Sequence, residues 1–360
     1  MKKPVLIATI TIMMLAGEAA VAADHPWQIN SADGKSAFWF GFLGQGQAEV
    51  IKNKSGKGNS QDLYLRRFRL IAGGKVTDKL SFFIDTDSPN LGKGSATGVK
   101  VDERVYLQDV IITYTFRPQL QLDAGLLLVA LSHNTGQGAT SLLPVDYSPY
   151  SFLASEPTGS RVGRDYGLQA RGYLFKQHFE YRVAGLQGIR TPTQSGPFRC
   201  FGRAVWYPFE AETGYFYTGT SLGAKKIMAL GVSLDHQKDY NAQTVDLFYD
   251  QPLRNKNSLT MQAAYTHYDG GITFTQLPAE HVLFFEAGYY HARARLGPFL
   301  QLSGRLFKDP SRNDLGKYVG GLAYWPLGHR LNLKMGVARA TGDTKQDFWQ
   351  FVLQGQVYIF

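Results

Sequence analysis

The stretch FVLQGQVYIF, Phe351–Phe360, alternates apolar and polar side chains and stops on an aromatic residue. Chain ends fray unless they are tied into structure. A strand pattern that runs to the last residue therefore reads as the closing strand of a sheet. Phe351, Leu353, Val357 and Ile359 form its apolar face, extended backwards by Trp349. Phe360 falls on the other face, in register with Gln350, Gln354 and Gln356.

Upstream the same period of two recurs in segments of about ten residues. In LSFFIDTD, Leu80, Phe82 and Ile84 oppose Ser81, Phe83, Asp85 and Asp87. In QLQLDAGLL, Leu120, Leu122, Ala124 and Leu126 oppose Gln119, Gln121, Asp123 and Gly125. HFEYRVAG, LTMQAAYTHY, LGPFLQLSGRLF and HRLNLKMGVA repeat the pattern. The expected strands begin near residues 37, 62, 78, 102, 119, 161, 177, 197, 225, 241, 258, 281, 296, 317, 328 and 347, about sixteen antiparallel strands. Tight connectors (GKVTDK, FRPQ, LFKQH, WPLGH) alternate with long polar ones (IKNKSGKGNSQ, SPNLGKGSATGVK, Ser132–Ser160).

A soluble β-sandwich also has one oily and one polar face per strand. Three features favour a closed transmembrane barrel. The mean hydropathy is slightly negative although each strand is apolar on one side, which fits a wet interior and an oily exterior. Aromatic residues make up 13% of the chain and crowd strand ends, where interfacial girdles would sit. A closed barrel has no edge, so a terminal strand must pair with the first.

At the other end, MKKPVLIATITIMMLAGEAAVAA has two lysines, a short apolar run and small residues before Asp24. That is the pattern of a secretory signal peptide, residues 1–23. Its apolar core is too short for a membrane anchor of roughly 20 residues. The barrel is then expected over 24–360, with a short periplasmic segment at 24–36. The single cysteine, Cys200, leaves no internal disulfide framework.

Several stretches now resemble a known family, the phosphate-selective porins of the O and P type. LYLRRFRLIAGGKVTDKLSFFIDTD is similar to that family's arginine-rich second strand with its first short turn. GRDYGLQARG, FYTGTSLGAKKIMALGVSLDHQ and GHRLNLKMGVARA with the closing FVLQGQVYIF match in kind and order. The resemblance implies a sixteen-stranded outer-membrane barrel of a Gram-negative bacterium. It also implies a homotrimer that passes small hydrophilic solutes by diffusion.

Selectivity in a pore comes from rings of charge and from the constriction. Ser132–Ser160, following the fifth strand as the third external loop, is the natural segment to fold inward and narrow the channel; the alternative is a loop packed over the mouth. Strict alternation, with Phe68, Leu70 and Ala72 outward, turns Arg67 and Arg69 into the lumen and Arg66 away from it. The same rule sends Arg171, Arg182, Arg305 and Lys334 inward. Guanidinium groups suit oxyanions because their planar fork donates paired hydrogen bonds. The resemblance, taken position by position, implies anion contacts at Arg66, Arg67 and Arg69.

Parity also places Asp85, Asp123, Asp165, Glu180, Asp246 and Glu286 in the lumen. The bland alternative is that acids and bases neutralise one another as ion pairs across a solvated wall. The formal charge of +9 favours anions only weakly, since basic loops could bind lipopolysaccharide or other anionic head groups instead. Catalysis finds little support. Ser132 and His133 are strand neighbours that would point to opposite faces, and the histidines lack metal-ligand spacing. An adhesive or structural barrel would need longer external loops. The expectation is a general or weakly anion-selective diffusion porin for small hydrophilic solutes, with phosphate or another small oxyanion as one candidate. A non-selective or amide and small-nutrient porin is the alternative. No cofactor, metal or nucleic-acid partner is expected.

Overall fold

The computed structural model describes residues 27–53, 59–95, 99–100, 104–160, 162–342 and 347–360. The expected leader, 1–23, lies outside the described residues. A short strand, β1 (Gln28–Asn30), precedes β2 (Ala37–Asn53), β3 (Asn59–Lys75), β4 (Leu80–Asp87), β5 (Tyr106–Arg117) and β6 (Leu120–Leu128). Two single-turn helices follow, α1 (His133–Gly136) and α2 (Ser155–Thr158). Then come β7 (Arg164–Leu174), β8 (Phe179–Leu186), β9 (Arg199–Trp206), β10 (Ile227–Gln237), β11 (Tyr240–Pro252) and β12 (Ser258–Asp269). The last five are β13 (Glu280–Tyr290), β14 (Leu296–Phe307), β15 (Leu315–Tyr324), β16 (Leu331–Thr341) and β17 (Phe348–Ile359). Each expected strand start falls within four residues of one from β2 to β17.

These sixteen strands, β2 to β17, pair antiparallel in chain order, and the ring is closed. β17 lies along β2 from Phe348 opposite Asn53 to Ile359 opposite Phe42. β1 takes up the same edge of β2 where β17 stops, with Gln28 opposite Trp39 and Asn30 opposite Ala37. Closure leaves no unpaired strand edge, the condition for a sheet to sit in hydrocarbon.

The alternation read from sequence becomes the inside and outside of the ring. On β10, Leu230, Val232 and Leu234 are exposed outward while Ser233, Asp235 and Gln237 are buried inward. Exposed aromatic residues mark both rims, with Phe40, Phe116, Phe175 and Trp206 at one and Tyr166, Tyr318 and Trp349 at the other. β10–β17 run 10 to 13 residues each. At ~3.3 Å rise and ~40° tilt they cover about 25–33 Å, the height of a lipid-facing band. Leaving a Leu, Val or Phe side chain in water costs ~1.5–3 kcal/mol, so an apolar girdle of this extent is stable only against lipid or protein.

Three register shifts depart from strict alternation; one, at Phe116, lies beside the tight β5–β6 turn, and the other two shape the lumen wall. Arg67 stands opposite Gln45 but Leu65 opposite Gly46, so Arg66 is an extra residue, a β-bulge in β3. Asp109 stands opposite Asp85 but Leu107 opposite Thr86, which makes Gln108 a bulge in β5. At the chain end, the Phe360 ring meets Phe83 edge-on at 5.7 Å and joins Leu43, Ile71 and Ala139 inside the barrel. Phe360 thus turns to the same side as Gln356.

Candidate functional site: the lumen wall and its inward segments

The bulge in β3 decides the densest part of the site. It corrects the outward placement expected for Arg66: the extra residue brings Arg66 and Arg67 to bear on one carboxylate. Arg66 Nε lies 2.7 Å and Arg67 Nη2 2.6 Å from the two oxygens of Asp146, a residue of the β6–β7 connection. Arg67 also donates to Gln45 Oε1 at 2.8 Å. Burial alone would raise the Asp146 carboxyl, but the two guanidiniums prevail and hold it well below the usual carboxylate range.

Around this clasp lie further pairs. Arg69 donates to Asp85 at 2.9 Å and Asp87 at 3.0 Å. Arg164 grips Asp109 with both arms of its fork, at 3.0 and 2.8 Å. The bulge at Gln108 sets Asp109 opposite Asp85 so that this second clasp forms. A cavity of about 440 Å³ opens here, lined by Arg66, Arg67, Arg69, Asp87, Tyr106 and Arg164. Across Asp146 and Tyr147 lies another of about 250 Å³, lined by Glu49, Tyr64, Arg66, Lys93, Lys317 and Gln350.

Farther round the wall the pairing continues. Arg171 meets Asp123 at 2.8 Å, Arg182 meets Glu180 at 2.6 Å and Arg305 meets Glu280 at 2.6 Å. Lys334 donates to the carbonyls of Leu142 and, at 3.0 Å, Pro144. Glu286 accepts from Gln262 at 2.7 Å and Gln301 at 3.0 Å. All the candidate cations and acids thus face the lumen. Each candidate arginine is committed to a carboxylate, the arrangement of the ion-pair alternative.

Three lumen arginines escaped the sequence reading: Arg164, Arg199 and Arg203. Arg199 bridges Asp235 and Asp165, and Arg203 binds Asp246 at 2.7 and 2.9 Å. On β9 they share the inner face with Phe201 and Val205, while Cys200, Gly202 and Ala204 look outward. That strand lacks the polar-in contrast which marked the others.

The β6–β7 connection, 129–163, reaches much of this wall. Leu131 O accepts from Arg203, His133 N–H donates to Asp246, and Gln137 donates to Gln262. Gln45 donates to Ala139 O, Gln356 to Thr140 O and Gln301 to Asp146 O. Strands β2, β3, β9, β11, β12, β14, β16 and β17 therefore all hold it.

A sequence profile described as phosphate-selective porin O and P matches residues 44–296. The chain belongs to that family. As a member of the phosphate-selective porin O and P family it is an outer-membrane channel protein for small solutes. The fold agrees with solved porins at low identity. The outer membrane channel DcaP of Acinetobacter baumannii is 11% identical, over 92% of this chain and 99% of that one, with a TM-score of 0.60. OmpF of Salmonella typhi, solved with daunomycin, is 11% identical over 92% and 100%, also at 0.60. OccK1 (OpdK) of Pseudomonas aeruginosa is 11% identical over 91% and 99%, at 0.54. No curated protein gives a significant match. In barrels of this kind the short turns face the periplasm and the long loops the exterior.

Proposed function

We propose that this protein is a passive porin with a weak preference for small anions, phosphate or another oxyanion among them, exported by a cleaved leader and assembled as a homotrimer. The observation that carries the anion preference is Lys317. Among the described residues its ammonium group has no hydrogen-bond or ion-pair partner, and the side chain lines the 250 Å³ cavity beside Arg66 and Lys93. Solutes enter between the external loops, pass the constriction formed by residues 132–160, and meet cations whose hold is weak enough for release. The basic rims contact lipopolysaccharide. The process needs neither cofactor nor catalysis.

The ion pairs favour a second reading, a pore without selectivity, because a guanidinium already bonded to a carboxylate presents little net charge to a passing ion. Reversal potentials under a KCl gradient in planar bilayers separate the two. A chloride preference that falls in Lys317→Ala, and less so in Arg67→Ala plus Arg69→Ala, supports the proposal. A potassium preference in the parent protein removes the anion reading and leaves the porin.

A further inference from the structure

The connection between β9 and β10, residues 207–226, belongs to the rim of the tight turns, yet it is long and does not stay there. It enters the lumen. Tyr207 is buried and donates to Glu180 at 2.7 Å, and Tyr215 O accepts from Arg182 at 2.9 Å. Tyr217 pairs with the β6–β7 connection as a strand would: its N–H donates to Gly136 O at 2.8 Å, and its carbonyl accepts from Gly138 N at 3.0 Å. Thr220 N donates to Ser141 O, and Gly219 N to Ser141 Oγ. His133 Nε2 lies 2.6 Å from Glu212, its ring stacked between Phe248 and Tyr217. The approach is close enough to require glycine. A Cβ on Gly136 would come within 2.4 Å of the Tyr217 ring, and one on Gly219 within 2.3 Å of Ser141 O.

A segment from the periplasmic rim therefore joins, by backbone hydrogen bonds, a loop from the opposite rim. Behind this join the β8–β13 side of the lumen is dry: Arg182 and Phe248 are 0% exposed, Tyr217 2%, Ser233 3% and Arg203 4%. A hydrated ion has no route through side chains so packed, because stripping its water there costs several kcal/mol. Inner-face residues elsewhere, such as Gln45, Lys334 and Gln356, are equally buried, so the halves differ in their cavities. Those of about 250 and 440 Å³ lie against β2–β5 and β14–β17. The concavity of about 630 Å³ at β8–β12, which touches Arg182, Arg203 and Ser233, is lined chiefly by Val183, Val232, Leu234 and Val245 of the outward apolar face.

We infer that residues 207–226 act as a diverter. They close the β8–β13 half of the lumen and send solutes along the half lined by Arg66, Lys93 and Lys317, so that these residues set selectivity and Arg182 and Arg203 do not. The inference rests on the channel reading above. Its test is thiol labelling in a Cys200→Ser background reconstituted into liposomes, with a small charged methanethiosulfonate reagent and mass spectrometry as the readout. Ser233→Cys sits on the inner face of β10 behind the join; Lys317→Cys sits on the open side.

Labelling of Ser233→Cys about 100-fold slower than Lys317→Cys is expected, since it would await local opening. Replacing residues 211–221 by a short Gly-Ser turn should abolish that protection and raise single-channel conductance about twofold, by opening the second half of the cross-section. Should that variant fail to assemble, Gly219→Val, which wedges the join apart, gives the same labelling readout. Equal labelling rates in the otherwise intact chain, with conductance present, overturn the diverter and leave the porin standing. A parent protein that carries no current overturns the channel reading and the diverter with it.

Discussion

At the scale of single residues, Asp146 is the pivot, because one carboxylate answers two guanidiniums on adjacent positions. Asp146→Asn should cost the folded barrel about 1–3 kcal/mol. That is less than a fully buried pair would lose, since the Asp146 side chain is 31% exposed. Tryptophan fluorescence during denaturant unfolding in detergent would measure the loss, and an unchanged midpoint would show that the clasp contributes nothing. The sign of its pH dependence follows from the lowered carboxyl. Stability from Asp146 is fully present above its unfolded value of about 3.9 and is lost only as pH falls through the lower folded value. The clasp should therefore be indifferent to pH from 7 down to about 4. Parity along the sequence found Arg67, Arg69, Asp85 and Asp123 because each strand there sets polar against apolar. It misplaced Arg66, since one inserted residue shifts the alternation and leaves no mark in composition. It passed over Arg199 and Arg203, whose inner-face neighbours Phe201 and Val205 are apolar.

At the scale of elements, the strands and the inward course of the β6–β7 connection were legible, and that of the β9–β10 connection was not. The β9–β10 connection begins with TyrProPheGlu and carries no period of two, so it reads as an ordinary loop; the backbone partners of Tyr217 and Thr220 lie in the far-rim loop, 136–141, which no local pattern announces. His329, in the turn between β15 and β16, helps to hold that connection by donating Nε2–H to Thr220 O at 2.8 Å. Burial pushes this imidazole down to about 4. Its Nδ1 is buried without a partner, as a neutral ring permits. A folded pKa below the unfolded value of about 6.5 means that the unfolded chain binds more protons between those limits. Stability is then complete above pH 6.5 and is lost as pH falls towards 4, by an amount on the order of 3 kcal/mol. Melting temperatures from pH 7 to 4.5 should decline in the parent and less steeply in His329→Gln; parallel curves would remove His329 as the cause.

At the scale of the whole molecule, the outward face dictates behaviour. Leu168, Val183, Val232, Leu234 and Ile112 stand more than half exposed on the barrel wall, so the folded protein should require detergent or lipid. Removing β17 should prevent closure altogether, because β2 and β16 would each present an open edge to hydrocarbon. The truncated chain should lack the compact, heat-modifiable band of a folded barrel on unboiled gels, and a compact band would contradict the seam. That seam also fixes when folding can finish. Gln45 and Gln356 bond across it although 311 positions separate them. Contacts of such span are entropically expensive and slow to form. No nascent portion of the polypeptide can seal itself while the remainder is still being synthesised or exported. The ring can zip shut only after its final strand has arrived beside its first.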